Sequence, residues 1–182
     1  MRIFYFSWPV TLVLDIGAWA FFHLLLSFLM LKLPLAFFED KGGLFRSRSF
    51  EKSGELWEEW FHVRSWKRFL PDGTLFLKSG YDKSTLRETT ALALHRFILE
   101  TKRAELTHWL SILPAFLFFL WNPPWAGGVM ILYALLVNAP FILAQRYNRP
   151  RLEKLYERKC RLEEKRQEKG KLAVSTTQKP SR

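Results

Sequence analysis

The chain has 182 residues, about half of them hydrophobic, with 17 Phe, 8 Trp and a formal net charge of +11 at pH 7. That length fits one domain or a small set of membrane helices and does not favour a second globular domain. Cys160 is the only cysteine, which excludes an intrachain disulfide, a paired-thiol metal site and a redox dithiol, and it points to a reducing cytosol around most of the chain.

The apolar residues are gathered in blocks, where a soluble basic domain would spread them through one periodic pattern. That is the pattern of a membrane protein, and it makes the anionic cytoplasmic leaflet, not nucleic acid, the partner of the positive charge. The first block, residues 4–31, crosses a hydrocarbon core of roughly 30 Å at about 1.5 Å per helical residue. A cleaved signal peptide has a basic start and an apolar core of about 7–15 residues. Here Arg2 stands alone before a longer run, so the segment is expected to stay as an anchor.

Residues 32–103 form a basic loop. Within it SGELWEEWFHVRSWKRFLPDG, residues 53–73, repeats apolar side chains at three- and four-residue spacing with charges between them. This predicts an amphipathic helix in the membrane interface, where three tryptophans find both apolar and wet surroundings. A helix packed on a soluble core is the alternative. Ser53 is the expected N-cap and Pro71-Asp72-Gly73 the stop. Thr85 with Glu88 fits a capping box for the next helix. No Pro or Gly interrupts from Ser84 to Leu113, so that helix is expected to run from the cytosol into the second block.

The second and third blocks, residues 106–121 and 127–144, are joined by the uncharged turn NPPWAGG and form a helical hairpin. Residues 106–121 are short for a span, and a tilted crossing, a crossing in thinned lipid and a re-entrant hairpin all fit them. Pro150 is expected to discourage continuation of the third helix. Half of the 28 Lys and Arg lie in 32–103, nearly all the rest follow from Arg146, and the 121–128 turn has none. Positive charge is retained in the cytoplasm, so the N-terminus is expected outside, with the large loop and the C-terminus inside. The fold class is therefore an all-α membrane protein. It has about three transmembrane helices, one N-terminal and two in a C-terminal hairpin, plus an interfacial amphipathic helix. Residues 1–150 make one integral membrane domain, and 151–182 a charged, partly disordered cytoplasmic tail.

Thr101, Glu105, His108 and Ser111 fall on successive turns of one helical face. A carboxylate beside an imidazole can fix its tautomer, so His108 is a candidate general base with Glu105 orienting it. Lys102 and Arg103, one turn earlier, could hold donor phosphates. The alternative makes these cations topology signals and His108 a packing residue. Asp15 with His23, and Asn138 with Gln145, are expected to line a polar cavity, Asn138 contacting substrate; for Asp15 an outer-interface position is the alternative. Arg146, Arg149 and Arg151 bind anionic lipid or donor phosphate, or anchor the helix exit. A serine elbow, phosphate loop, dinucleotide fingerprint and paired-His zinc helix are all missing, so no metal is expected.

VRSWKRFLPDG (63–73), Tyr81-Asp82, ETKRAELTHWLSILP (100–114) and NAPFILAQRYNRPRL (138–152), in this order and spacing, resemble the glycosyl-4,4'-diaponeurosporenoate acyltransferases of staphyloxanthin-type carotenoid biosynthesis. The resemblance implies an integral membrane enzyme that esterifies the C6 hydroxyl of the glucose on a glycosylated C30 carotenoid acid with a fatty acyl chain. It implies as partners membrane lipid, the glycosylated carotenoid and an acyl donor such as acyl-CoA or acyl carrier protein, with no separate cofactor. Of the four histidines, His108 lies inside a matching motif, together with Glu105, Lys102 and Arg103. The expected mechanism is direct transfer, with Lys102, Arg103, Arg146 or Arg149 on donor phosphates. Alternatives are an acyltransferase for another glycolipid, or a non-catalytic protein binding anionic lipid or scaffolding an assembly.

Overall fold

The computed structural model describes residues 2–39, 42–46, 48–70 and 90–177. Every element among them is helical. Helix α1 (Trp8–Lys32) carries Pro9 in its first turn. It ends where Leu33 precedes Pro34, whose ring pushes the residue before it out of the helical region; Leu33 has ψ 124°. Among the described residues two helices, α1 and the last one, are long and apolar enough to cross a membrane.

The loop is a chain of short pieces: a 3-10 turn Leu35–Phe38, α2 (Gly42–Phe45), a 3-10 segment Ser49–Gly54, α3 (Glu55–Phe61), α4 (Val63–Trp66) and a last 3-10 turn Lys67–Phe69. The single amphipathic helix expected over 53–73 is thus broken. His62 takes a left-handed conformation, φ 48°, and closes α3 with its N–H on the Glu58 carbonyl. Side chains recapture the freed backbone: Trp66 Nε1 donates to the Phe61 carbonyl (2.7 Å), and the Arg64 N–H to the Glu58 carboxylate (2.8 Å). Val63, just after the break, is fully buried. Ser53 is no cap either. It lies at φ 59° between Lys52 and Gly54, both also at positive φ, and Gly54 is the residue that precedes α3. The turn expected at Pro71-Asp72-Gly73 and the capping box at Thr85 and Glu88 lie outside the described residues.

Helix α5 (Ala91–Ile112) starts at Thr90, whose hydroxyl accepts from the Ala93 N–H (3.2 Å). It passes without a break into a 3-10 stretch, Leu113–Leu120, with Pro114 in its first turn. The tighter coil rises about 2.0 Å per residue against about 1.5 Å in an α-helix, so this stretch gains roughly 4 Å of length for a short apolar block. Helix α6 (Pro124–Thr177) has 54 residues and contains both Pro140 and Pro150. The expected stop at Pro150 does not occur. An internal proline costs about 3 kcal/mol, and the residue before it, Arg149, is held by side-chain bonds to Thr101, Phe45 and Glu105. The tail from Arg151 accordingly continues as helix to Thr177.

Helices α1, α5 and α6 run antiparallel in sequence order. At one end the Ile3 and Phe4 N–H groups donate to the Leu120 carbonyl (2.7 and 2.9 Å). At the other, Arg103 reaches the Leu33 carbonyl (3.2 Å). The main seam is α5 on α6. Met30, Phe38, Phe45 and Leu99 form a core at the loop end, and Ile112, Ala115, Ala134 and Ile142 form one toward the turn. Gly127 lets the 3-10 stretch close on α6, since a Cβ there would lie 2.5 Å from the Phe119 ring.

Candidate active site

Between the two apolar cores α5 presents its polar stripe to α6. Glu105 is fully buried, and its carboxylate accepts from Arg146 Nε at 2.7 Å, Arg149 Nη2 at 2.5 Å and Trp109 Nε1 at 3.3 Å. Arg146 Nη1 continues to the buried Glu51 at 2.8 Å. Arg149, 1% exposed, engages every nitrogen. Nε donates to the Thr101 hydroxyl (2.9 Å), Nη1 to the Phe45 carbonyl (2.9 Å), and Nη2 also to the Thr101 carbonyl (3.1 Å). Two carboxylates and two guanidiniums thus alternate in one electrically neutral set. Such a set tolerates burial only because each charge is paired and its hydrogen bonds are satisfied. It ties the loop, α5 and α6 together at the mouth of the hairpin.

One turn further along α5, His108 Nδ1 lies 2.9 Å from Asn138 Oδ1, and the imidazole stacks on Phe141 with centroids 4.4 Å apart and planes at 11°. Asn138 is buried, and its Nδ2 donates to the Ala134 carbonyl at 2.9 Å. The ring is held at its edge and on its face by two residues one turn apart on α6. His108 Nε2 makes no hydrogen bond among the described residues.

The pairing of Glu105 with His108 expected from their spacing is not formed. Charge-assisted bonds from two guanidiniums are about twice as strong as neutral ones, and they turn the carboxylate to α6. Asn138, read from the sequence as a substrate contact, is hydrogen-bonded to His108. Arg146 and Arg149, read as phosphate ligands, are engaged with Glu51 and Glu105. Lys102 donates to the Phe38 carbonyl (3.0 Å). Arg103 binds Glu100 (3.1 and 3.2 Å) and the carbonyl that ends α1. Burial pushes the Lys102 ammonium below its ordinary value, the Arg149 charge adds to this, and Glu153 and Glu39 oppose it.

Asp15 does not meet His23. It accepts from Trp121 Nε1 and Asn122 Nδ2, each at 2.7 Å, at the turn end, while His23 stacks on Trp19. Sequence reasoning missed Glu51 and Phe141. Phe141 was within reach, three residues after Asn138 and so on the same helical face. Glu51 carried no local signal, since its partner Arg146 lies 95 residues away. Among the described residues no group of His, Cys, Asp and Glu is arranged to hold a metal ion.

Sequence comparison makes the class of protein plain: the chain is an acyltransferase. It belongs to the glycosyl-4,4'-diaponeurosporenoate acyltransferase family, whose model matches residues 41–158. Proteins of that name from Staphylococcus aureus strains bovine RF122 / ET3-1, USA300 and NCTC 8325 / PS 47 are each 40% identical to it over 137 residues, covering 75% of this chain and 82% of theirs. No solved structure matches the chain. Residues 41–158, which the family model matches, hold all the residues from Glu51 to Arg149 that build the mouth and leave out α1.

Proposed function

We propose that this acyltransferase esterifies the C6 hydroxyl of the glucose on a glycosylated C30 carotenoid acid with a fatty acyl chain, taken from a thioester such as acyl-CoA or acyl carrier protein. The identity to relatives named glycosyl-4,4'-diaponeurosporenoate acyltransferases, over most of both chains, supports acyl transfer to such an acceptor and carries the reading. In the proposed reaction His108 takes the hydroxyl proton on the ring nitrogen not bonded to Asn138. The hydroxyl oxygen bonds to the acyl carbonyl carbon, the carbon–sulfur bond breaks, and the proton passes to the leaving thiolate. Ester, thiol and neutral imidazole result. Support comes from the oriented ring of His108 and from its position one turn inside a charged mouth.

The roles at that mouth divide. Glu105 positions the arginines of α6 and contacts no reacting atom. Lys102 has three donors and, among the described residues, one hydrogen-bond partner, the Phe38 carbonyl, so it is the leading contact for donor phosphate, with Arg103 and the partly exposed Arg146 beside it. Arg149 acts from inside as a structural anchor.

In the proposed topology α1, the second half of α5 with its 3-10 stretch, and the first part of α6 cross the membrane. The N-terminus lies outside, and the loop and tail lie in the cytoplasm. Exposed Phe50, Trp60, Phe61 and Phe69 accompany Arg64 and Arg68 in the loop. Gly54, between them, packs against the Tyr147 carbonyl just past the apolar part of α6. This supports a headgroup-level position for the segment, an interfacial element in pieces.

Two measurements test the proposal. Lipids and pigments extracted from cells with and without the gene are compared by mass. Loss of an acyl ester of the glycosylated carotenoid is expected. An unchanged carotenoid ester with loss of acyl from another glycolipid would replace the acceptor. A membrane-impermeant thiol reagent should label Cys160 only in opened cells, and labelling in intact cells would reverse the topology.

A further inference from the structure

The amide of Asn138 has one chemically allowed orientation. One end faces the Ala134 carbonyl at 2.9 Å, and a carbonyl oxygen only accepts, so that end must be the NH2 group. The other end, Oδ1, then points at His108 Nδ1 from 2.9 Å. An amide oxygen also only accepts. The hydrogen between them must therefore sit on Nδ1. A neutral imidazole carries one N–H, which leaves the lone pair on Nε2. Phe141, stacked on the ring at 11°, keeps the imidazole plane from turning away from this bond.

We propose that Asn138 is a positioning residue that fixes His108 as the Nδ1–H tautomer and so makes Nε2 the atom that accepts the substrate proton. The inference rests on the reading of His108 as the base. Asn138 performs it without a charge. A carboxylate partner would hold the imidazolium more strongly. A buried amide sets tautomer and direction with no further ionised group beside the four charges already at the mouth. The Ala134 carbonyl is part of the device, because it decides which end of the amide faces the ring.

The protein, uniformly labelled with 15N-histidine and reconstituted in lipid bilayers, gives the test. His108→Gln identifies the His108 signals by their disappearance. In the wild type the expected spectrum has a protonated Nδ1 and an unprotonated Nε2, and a protonated Nε2 would overturn the proposal outright. In Asn138→Leu the Nδ1–H preference should be lost and kcat should fall on the order of 10²-fold, the scale of a misplaced general base. KM should stay within about twofold, because ground-state binding is untouched. Asn138→Asp keeps an acceptor oxygen toward Nδ1 and should restore the Nδ1–H tautomer, but it loses the donor to the Ala134 carbonyl, so kcat should recover only in part above Asn138→Leu. A hydrophobic variant that kept the wild-type tautomer would also refute the role. Should His108→Gln retain full acyl transfer, the base assignment falls, while the spectrum of the wild type still decides whether Asn138 sets the tautomer.

Discussion

Asp15 and Glu105 are both buried carboxylates, 7% and 0% exposed, yet they are satisfied in different ways. Glu105 sits among two guanidiniums and an indole, within a set whose charges cancel. Asp15 accepts two neutral donors, Trp121 and Asn122, on one oxygen, with no cation bound to it among the described residues. An uncompensated carboxylate is affordable near water and costly at depth. Asp15 therefore works as a latch at the turn end, holding α1 to the hairpin, and Glu105 as a keystone at the mouth. The comparison separates what attaches the anchor from what builds the site.

Replacing Glu105 with Leu should break the comparison hardest. It leaves the buried guanidinium of Arg149 without its carboxylate and takes one of two from Arg146, and removing one partner of a buried pair costs about 3–5 kcal/mol. The check is unfolding of the detergent-solubilised protein, followed with acyl transfer in the same sample. Gly54→Ala should come next, because it strains the strap that carries Glu51. The residue sits at φ 88°, and a Cβ would lie 2.9 Å from the Tyr147 backbone oxygen, which cannot swing aside. A left-handed non-glycine alone costs about 1–3 kcal/mol, read in the same assay. Asp15→Leu orphans two donors and should cost about 1–3 kcal/mol. Its consequence should fall on α1, seen as faster proteolysis or exchange of residues 8–32, with the tautomer of His108 unchanged. Asp15→Asn sharpens the contrast. It keeps an acceptor oxygen and should cost about 1 kcal/mol or less, whereas Glu105→Gln should cost more, because its donors are charged.

Much of the architecture was legible from the apolar blocks. The first block is α1, the second and third form the hairpin, and α5 does run unbroken from the loop into the apolar stretch. The breaks in the loop were not legible. The spacing over 53–73 is helical, and it is interrupted at the left-handed His62, which no local sequence signal marks. Continuation of α6 through Pro150 was also misread. The local cost of proline is visible in sequence, while the bonds that hold Arg149 come from Phe45, Thr101 and Glu105. In the site, helical periodicity grouped Thr101, Glu105 and His108 correctly on one face. It could not say which neighbour each would choose. The pairing of His108 with Asn138, 30 residues on, and of Glu105 with the arginines of α6 follows from how two helices meet.

The proposed acyl transfer depends on His108. The direct measurement is the initial rate of acyl ester formation in membrane vesicles holding equal amounts of wild-type and His108→Gln protein, each shown to be inserted and to unfold at the same midpoint. Loss of a positioned general base predicts a fall in rate of about 10²–10⁴-fold. A variant within twofold of the wild type would contradict it.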